Sequence, residues 1–492
     1  MITWGISANS HNGALAVFSD NKLVFASETE RFSGKKNDPH LNLDLINYAA
    51  QNFGGYPQQI CWYEKPWLKS LRQLRAGQGW LWSENNIKKY VNSYGLDPKI
   101  VYSQHHHSHA AAGYYTSKFD DACVLVIDAI GEFETISIWQ GQGKRLKKIW
   151  SQWYPDSVGL WYSAMTDRIG LKANEEEYIL MGMSAYGDSD KFTDAILNDF
   201  VLWNEPEATA IGFKHNLHRG CRWWRPELQT EQHKFDIAAA TQRVYEIIFR
   251  RLLQQAQRFV PSKNIVLMGG CALNCVANKI AYEYFDNVWI MPAPGDNGSA
   301  IGAVLTQKQT HIDWPGPYLG YDMGYHTSNQ KIVDYLKTFK ICGLARGRAE
   351  FGPRALGNRS LIADPRGPNI KEKVNDIKHR ERFRPFAPAI LAEHAHEFFD
   401  IPRGRDSSYM QMVYRCRRPD LFPAIVHHDG TSRLQTVEKG SGQFRELLEL
   451  WYAETGCPML LNTSLNIKGQ PMVNTLDDAE LWTETYGLPI LG

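Results

Sequence analysis

A three-strand pattern that occurs twice sets the tightest limit on how this chain folds. "TWGISAN" is apolar and ends at the turn "SHNG"; "ALAVF" follows, then the turn "SDNK", then "LVFASE". Around residue 122 the plan recurs in "ACVLVIDAIGEFETISIWQGQGKRLKKIW". An apolar strand again runs into a polar, Gly-containing turn, a second strand returns, and a third follows another Gly turn. Two hairpin-led units about 120 residues apart predict a duplicated α/β domain.

Two further stretches fit that architecture. "NIVLMGGCALNCVANKIAYE" (264–283) reads as strand, Gly-Gly turn and helix. "NVWIMPAPGDNGSAIGAVL" (287–305) reads as strand, Pro/Gly loop and helix. Backbone N–H groups at such joints favour anions, which points to a nucleotide cleft.

With 492 residues the chain exceeds one ordinary core, so at least two domains are expected. "HIDWPGPYLGYDMGYHTSNQ" (311–330) is rich in Pro, Gly and Tyr and has no clear period. It divides a first domain, residues 1–312, from a linker, 313–330, and a second domain, 331–492. No apolar run reaches the length of a membrane span, and "MITWGISANSH" lacks the basic and apolar regions of a secretory leader. The eight cysteines are scattered without a CxxC pair, and "CALNC" has no histidines nearby, so free thiols in a cytoplasmic protein are expected. The net charge of +1 argues against a broad nucleic-acid footprint. Only "RGCRWWRP" (219–226) clusters basic residues, and it reads as an exposed loop with packed tryptophans.

"QHHHSHAAAGYY" (104–115) places four of the sixteen histidines within five positions, ahead of an Ala-rich, helix-forming run. On a helix only His105 and His109 share a face. Two imidazoles one turn apart reach a common ion, as in other paired-histidine metal sites. Asp128, at the tip of "VLVIDAIGE", and Asp296, in "PGDNG", offer carboxylates at cleft positions. Two imidazoles and two carboxylates suit Fe2+, Mn2+ or Zn2+. The bland reading, exposed or backbone-bonded histidines, stands beside this one with equal weight. His106 and His107 cannot share that face.

Past the linker the composition changes. "RGRAEFGPRALGNRSLIADPRG" and "IKHRERFRPFAPAI" concentrate arginines beside Gly and Pro. Arginine binds phosphate or carboxylate bidentately, so a bound anion is one account of these charges. A salt-bridged surface using Glu350, Glu372 and Glu381 is the other. "HHDGTSRLQTV" (427–437) and "LLNTSLNIKGQP" (460–471) add hydroxyl, amide and cationic donors.

Taken together, "HHHSHAAAGYYTS…VIDAIGE", "NEEEYILMGMSAYG", "MGGCALNC", "PAPGDNGSAIGA", "EFGPRALGNRSLIADPRG", "IKHRERFRPFAP", "HHDGTSRLQTV" and "LNTSLNIKGQP" resemble the signatures of the O-carbamoyltransferases, the family of nodulation, aminoglycoside and cephalosporin carbamoylating enzymes. The resemblance runs through nearly the whole chain in order. It implies a duplicated actin-like ATPase (Kae1-like) first domain and a smaller α/β YrdC-like second domain. It also implies that carbamoyl phosphate and ATP, the latter with Mg2+, form carbamoyl adenylate in the second domain. The carbamoyl group then passes to a substrate hydroxyl at a metal, often iron, in the first. His105, His109, Asp128 and Asp296 fall on the family's metal ligands. Gly269, Gly270, Asn274, Gly295, Asn297 and Gly298 fall on the loops that hold the adenylate. Arg354, Lys378, Arg384, Arg433 and Ser464 fall on its carbamoyl phosphate and ATP residues. His11 and His106 are the candidate bases by position.

Two departures stand out. The family reads "HDAA" in the first turn, whereas this chain reads "HNGA" with Asn12, so any task of that Asp must be met differently. The second domain also looks short. Two alternatives follow from the same residues: an actin-fold sugar kinase, and a non-catalytic nucleotide-binding module of a tRNA-modification-type assembly. The acceptor class implied is a small molecule, sugar or nucleoside bearing a hydroxyl. The insert 204–229 reads as hydrophobic packing in preference to an acceptor wall.

Overall fold

Both hairpin repeats form strands at the predicted places in the computed structural model, which describes residues 1–79, 85–203, 211–381, 383–384 and 386–492. In the first repeat, β1 (Ile2–Ser7), β2 (Ala14–Ser19) and β3 (Lys22–Glu28) are joined by β4 (Gln59–Trp62) and β5 (Lys99–Tyr102). The sheet order is β3-β2-β1-β4-β5, antiparallel through the hairpins and parallel beyond β1. In the second repeat, β6 (Asp121–Ile127), β7 (Glu134–Gln142) and β8 (Arg145–Trp153) are joined by β9 (Asn264–Met268) and β10 (Asn287–Trp289). The order β8-β7-β6-β9-β10 and the strand directions are the same. The duplication expected from the hairpins is therefore a property of the topology.

Burial explains which strand goes where. Trp4 and Ile6 of β1 and Val124 and Val126 of β6 are fully buried, as central strands covered on both faces require. β8 carries exposed Arg145 and Lys147 and sits at a sheet edge, where charge discourages pairing with another chain.

Two helices matter most for the site: α1 (His105–Thr116) and α2 (Ser299–Lys308). Every residue of α1 except His107 is buried. A helix buried all round needs small residues where neighbours come close, which accounts for the run after the histidines. A Cβ on Gly302 of α2 would stand 1.8 Å from the Ser108 carbonyl oxygen, and one on Gly113 would stand 2.5 Å from Met268 Cγ. Only glycine allows either approach.

In the stretch 264–283 the expected strand forms, but the helix expected after the Gly-Gly turn is replaced by short 3-10 segments, Gly270–Leu273 and Asn278–Glu283. Asn274 lies between them with its amide paired to Gln242, each side chain donating to the other at 2.9 and 3.2 Å. Those side-chain bonds hold the chain in a turn that an α-helix would not allow.

The chain forms two compact units, Met1–Thr29 with Asn37–Pro315, and Glu30–Lys36 with Gly316–Gly492. The second contains β11 (Tyr318–Asp322), β12 (Ile341–Ala345), β13 (Arg348–Glu350), β14 (Arg359–Ala363), β15 (Ala387–Leu391), β16 (Met412–Arg415), β17 (Thr431–Val437), β18 (Met459–Ser464) and β19 (Ile490–Leu491). Seven of these form one mixed sheet in the order β16-β17-β15-β18-β14-β12-β19, and β11 pairs with β13. β11 lies inside the stretch read as a linker. Its partner, β13, is some way further along the chain, so local composition could not reveal it. The Glu30–Lys36 piece belongs here too: Arg31 donates to the Gly352 carbonyl at 3.0 Å. The fold is mixed α/β throughout, and no helix among the described residues is long and apolar enough to cross a membrane.

Candidate metal centre

Four side chains from three parts of the first unit converge. α1 begins at His105, so His105 and His109 project one turn apart from its first turns. Asp128 is the first residue beyond β6, and Asp296 opens the short 3-10 turn Asp296–Gly298 that leads into α2. The His105 Nε2 atom lies 3.2 Å from Asp128 Oδ2 and 3.3 Å from Asp296 Oδ1. His109 Nε2 lies 3.1 Å from His105 Nε2, 3.3 Å from Asp296 Oδ1 and 3.8 Å from Asp128 Oδ2. One donor atom from each of the four residues falls within 4.8 Å of all the others. The side chains are 0 to 15% exposed.

The electrostatics follow from that crowding. Burial lowers the affinity of His105 for a proton, but the facing Asp296 and Asp128 carboxylates outweigh it and hold its pKa well above the ordinary range. Burial likewise raises Asp296, and the two imidazoles more than reverse this, so it remains ionised. Two nitrogen and two oxygen donors around one point, shielded from water, fit a first-row divalent cation. The Gly270 N–H donates to Asp128 Oδ1 at 3.0 Å, which fixes that carboxylate and uses a donor of the Gly-Gly turn. Glu132, which the sequence reading missed, accepts the His105 backbone N–H at 3.1 Å and the Lys65 N–H at 2.8 Å. It caps α1 at a point where the N-cap residue, Gln104, supplies no side-chain bond.

Residues 3–305 match the Carbamoyltransferase N-terminus family and residues 333–491 match the Carbamoyltransferase C-terminus family. The chain belongs to the carbamoyltransferases. An uncharacterized protein of Synechocystis sp. is 33% identical over 96% of this chain and 93% of its own length. Nodulation protein NolNO of Sinorhizobium fredii is 31% identical over 98% of this chain and 78% of its own. The 3'-hydroxymethylcephem-O-carbamoyltransferase of Amycolatopsis lactamdurans is 26% identical over 97% of this chain and 95% of its own. Membership makes the protein an enzyme that transfers carbamoyl groups.

The other predicted residues of this carbamoyltransferase fall as follows. His11 and Asn12 occupy the β1–β2 turn, the counterpart in the first repeat of the turn that holds Asp128. His11 Nε2 meets the Asn174 carbonyl, and its Nδ1 lies 3.4 Å from Asn12 Oδ1. His106 is fully buried, its Nδ1 2.8 Å from the Ser137 hydroxyl, which also accepts the Trp139 indole N–H at 2.8 Å. His107 stacks on Trp139 at 5.1 Å. Asn297 donates to Glu28 at 3.0 Å, while a Cβ on Gly298 would stand 1.9 Å from the Ala293 carbonyl oxygen. Gly269 takes φ 87°, a conformation suited to glycine. Gly295 precedes the Asp296 turn.

In the second unit, Lys378 and Ser464 come together. The buried Lys378 Nζ donates to the Ser464 hydroxyl at 3.3 Å, and to the carbonyl and side-chain oxygens of Asn466 at 2.9 and 3.1 Å. Burial, with Arg380 and Arg384 nearby, pushes its pKa well below the usual lysine range. Arg384 meets Glu381 at 3.3 Å, Arg433 lies on β17, and Arg354 lies in the loop between β13 and β14.

Several arginines of this region serve the fold. Arg359 is fully buried and donates to the carbonyls of Arg346, Gly347, Tyr321, Asn358 and Asn474. Arg346, also fully buried, donates to Asn329 and to the Gln443 carbonyl. Neutral oxygens of the protein thus take up the N–H groups of these two guanidinium groups. Glu350 is buried rather than at the surface, and its Oε1 accepts the N–H groups of Leu356, Asn358 and Arg359, which shapes "FGPRALGNR". The cation-rich segment includes Arg382 and Pro385, which lie outside the described residues. In the tryptophan-rich insert, residues 204–210 lie outside them as well. Trp224 is buried against Phe200, 5.5 Å between rings, while Trp223 is 55% exposed.

Proposed function

We propose that this protein is an ATP-dependent O-carbamoyltransferase that divides its work between the two units. In the second, carbamoyl phosphate and ATP give carbamoyl adenylate, with pyrophosphate and phosphate released and one water consumed. The Lys378–Ser464 pair supports this reading: the buried lysine amine bonds only neutral oxygens of Ser464 and Asn466, and an anionic ligand beside it would favour the protonated form that burial disfavours. Arg354, Arg384 and Arg433 would add the guanidinium groups that offset the charge developing on phosphate oxygens. Magnesium would accompany ATP. In the first unit, the carbamoyl carbon is attacked by a hydroxyl and AMP leaves.

The observation that carries the reading is the convergence of His105, His109, Asp128 and Asp296 on one point. These residues would hold a divalent ion, iron foremost, which would supply Lewis acidity toward the carbamoyl group. The Gly269–Gly270 and Gly295–Gly298 loops would bind the nucleotide portion. His11 is the favoured base. Its Nε2–H donated to the Asn174 carbonyl leaves the Nδ1 lone pair free to take the acceptor's proton. Asn12, whose side-chain oxygen lies 3.4 Å from that nitrogen, is a carboxamide and has no carboxylate to take up the proton in its place.

The acceptor is a hydroxyl of a small molecule, sugar or nucleoside. The name of the Amycolatopsis relative states an O-carbamoyl transfer to a hydroxymethyl group, which supports the class. An acceptor screen with carbamoyl phosphate and ATP tests the proposal. AMP as the nucleotide product supports it, and ADP would instead indicate a sugar kinase. His105→Ala should retain pyrophosphate release and lose carbamoyl transfer.

A further inference from the structure

We propose that Glu64, held by Lys69, is a positioning residue for the metal centre that acts through the far nitrogen of His105. The inference rests on the metal reading above and adds a residue to it. Glu64 lies just past β4, and its side chain is 5% exposed. One carboxylate oxygen, Oε1, accepts from Lys69 Nζ at 2.7 Å, and the Lys69 side chain is itself 7% exposed. Lys69 Nζ also donates to the Asn9 carbonyl at 2.8 Å, which fixes the ammonium from a second side. The other oxygen, Oε2, faces His105 Nδ1 at 3.8 Å.

That nitrogen needs an acceptor. His105 is 1% exposed, and its Nδ1 has no hydrogen-bond partner. An imidazole that ligates an ion through Nε2 must be neutral and carry its proton on Nδ1. Glu64 Oε2, 3.8 Å away, would then be the acceptor for that proton once the two side chains close to hydrogen-bond distance. A carboxylate behind a ligating histidine fixes the ring and raises its basicity. Glu132 already anchors the backbone of the same residue through its N–H. Two buried acids from different loops thus flank His105, Glu132 bonded to its backbone and Glu64 facing its ring. The site is asymmetric: His109 Nδ1 is also unpartnered, and no carboxylate faces it among the described residues. Lys69, 2.7 Å from the other Glu64 oxygen, keeps the carboxylate from standing as an isolated buried charge.

The test is a Co2+ titration of the full chain, followed by visible absorption, for the parent and Glu64→Gln. A second readout is the paramagnetically shifted Nδ1–H resonance of His105 in the Co2+ protein. Glu64→Gln should weaken Co2+ binding about ten- to hundredfold. It should also move or broaden the His105 resonance and leave the corresponding His109 signal in place, which a general loss of fold would not do. Co2+ affinity within twofold of the parent, with an unmoved resonance, overturns the proposal. A parent that binds no Co2+ defeats the metal reading itself, a separate result. Should Glu64→Gln not fold, Glu64→Asp keeps the charge for Lys69 while withdrawing the carboxylate from His105, and the same twofold criterion decides.

Discussion

The Nε2 atoms of His105 and His109 stand 3.1 Å apart inside the first unit, with Asp296 Oδ1 3.3 Å from both. Imidazoles that face each other this closely satisfy one another only if one donates and the other accepts, and two imidazolium ions there would repel. A cation shared with two carboxylates satisfies all four residues at once. The helix that carries the histidines is held by small residues, so the geometry of the site depends on backbone packing at a distance from the donors.

Gly302 is the clearest test of that dependence. A methyl group at this position would overlap the Ser108 carbonyl, which stands 1.8 Å from the added Cβ. Gly302→Ala should destabilise the protein by about 3 kcal/mol. It should weaken metal binding as α1 shifts. A thermal melt and a metal titration check both, and a variant as stable and as metal-avid as the parent contradicts the packing described.

Lys378→Met should separate stability from activity. Burial disfavours the charged ammonium, and removing it relieves that penalty. The thermal midpoint is expected to stay the same or rise, while pyrophosphate release from ATP and carbamoyl phosphate falls at least a hundredfold, on the order of a lost charged contact to phosphate. A drop in the midpoint with activity intact reverses the assignment.

Arg359→Met should do the opposite. Its guanidinium joins the carbonyls of five residues in the second unit, including Tyr321 and Asn474 at 2.9 and 3.1 Å. Its loss leaves buried carbonyls unmet and should cost about 3 kcal/mol. Melting followed by circular dichroism measures it, and a neutral result contradicts the structural role.

Acid stability offers a check with a fixed sign. Arg445 binds Glu393 through two parallel bonds of 2.6 and 2.8 Å, which lowers the Glu393 pKa from the ordinary 4.5 to about 2. Because the folded pKa is the lower one, the stabilisation is full above pH 4.5 and is lost as the pH falls toward 2. Glu393 is 38% exposed, so the effect is screened to about 1 kcal/mol. The stability gap between the parent and Glu393→Gln should be present at pH 7 and close near pH 2. A gap that does not change with pH contradicts it.

Local patterns made part of this structure legible. The hairpin repeats announced the duplicated sheets through alternation and turn residues, and the spacing of His105 and His109 announced a shared helical face. Asp128 and Asp296 were readable because each sits where an apolar strand gives way to a polar loop. What escaped were contacts between residues far apart in sequence. Glu132 stands in the same "VIDAIGE" stretch as Asp128, but its bond to the His105 backbone depends on a helix start that the stretch itself does not show, and nothing near Glu64 marks it as facing the His105 ring. Arg346 and Arg359 looked like anion ligands because the sequence displays their charge but not the backbone carbonyls that satisfy it. β11 hid within a Pro- and Gly-rich stretch, since a strand of five residues takes its stability from its partner. The Glu30–Lys36 segment, which belongs to the second unit, carries no local sign of that membership.

The most direct measurement is the metal content of the full chain after anaerobic loading with Fe2+ and removal of excess, compared with His109→Ala and Asp296→Asn. One iron bound tightly per parent chain, and loss of most of it in each variant, is the predicted result. Equal iron in all three proteins, or none in the parent, would contradict the proposal that His105, His109, Asp128 and Asp296 grip a single ion.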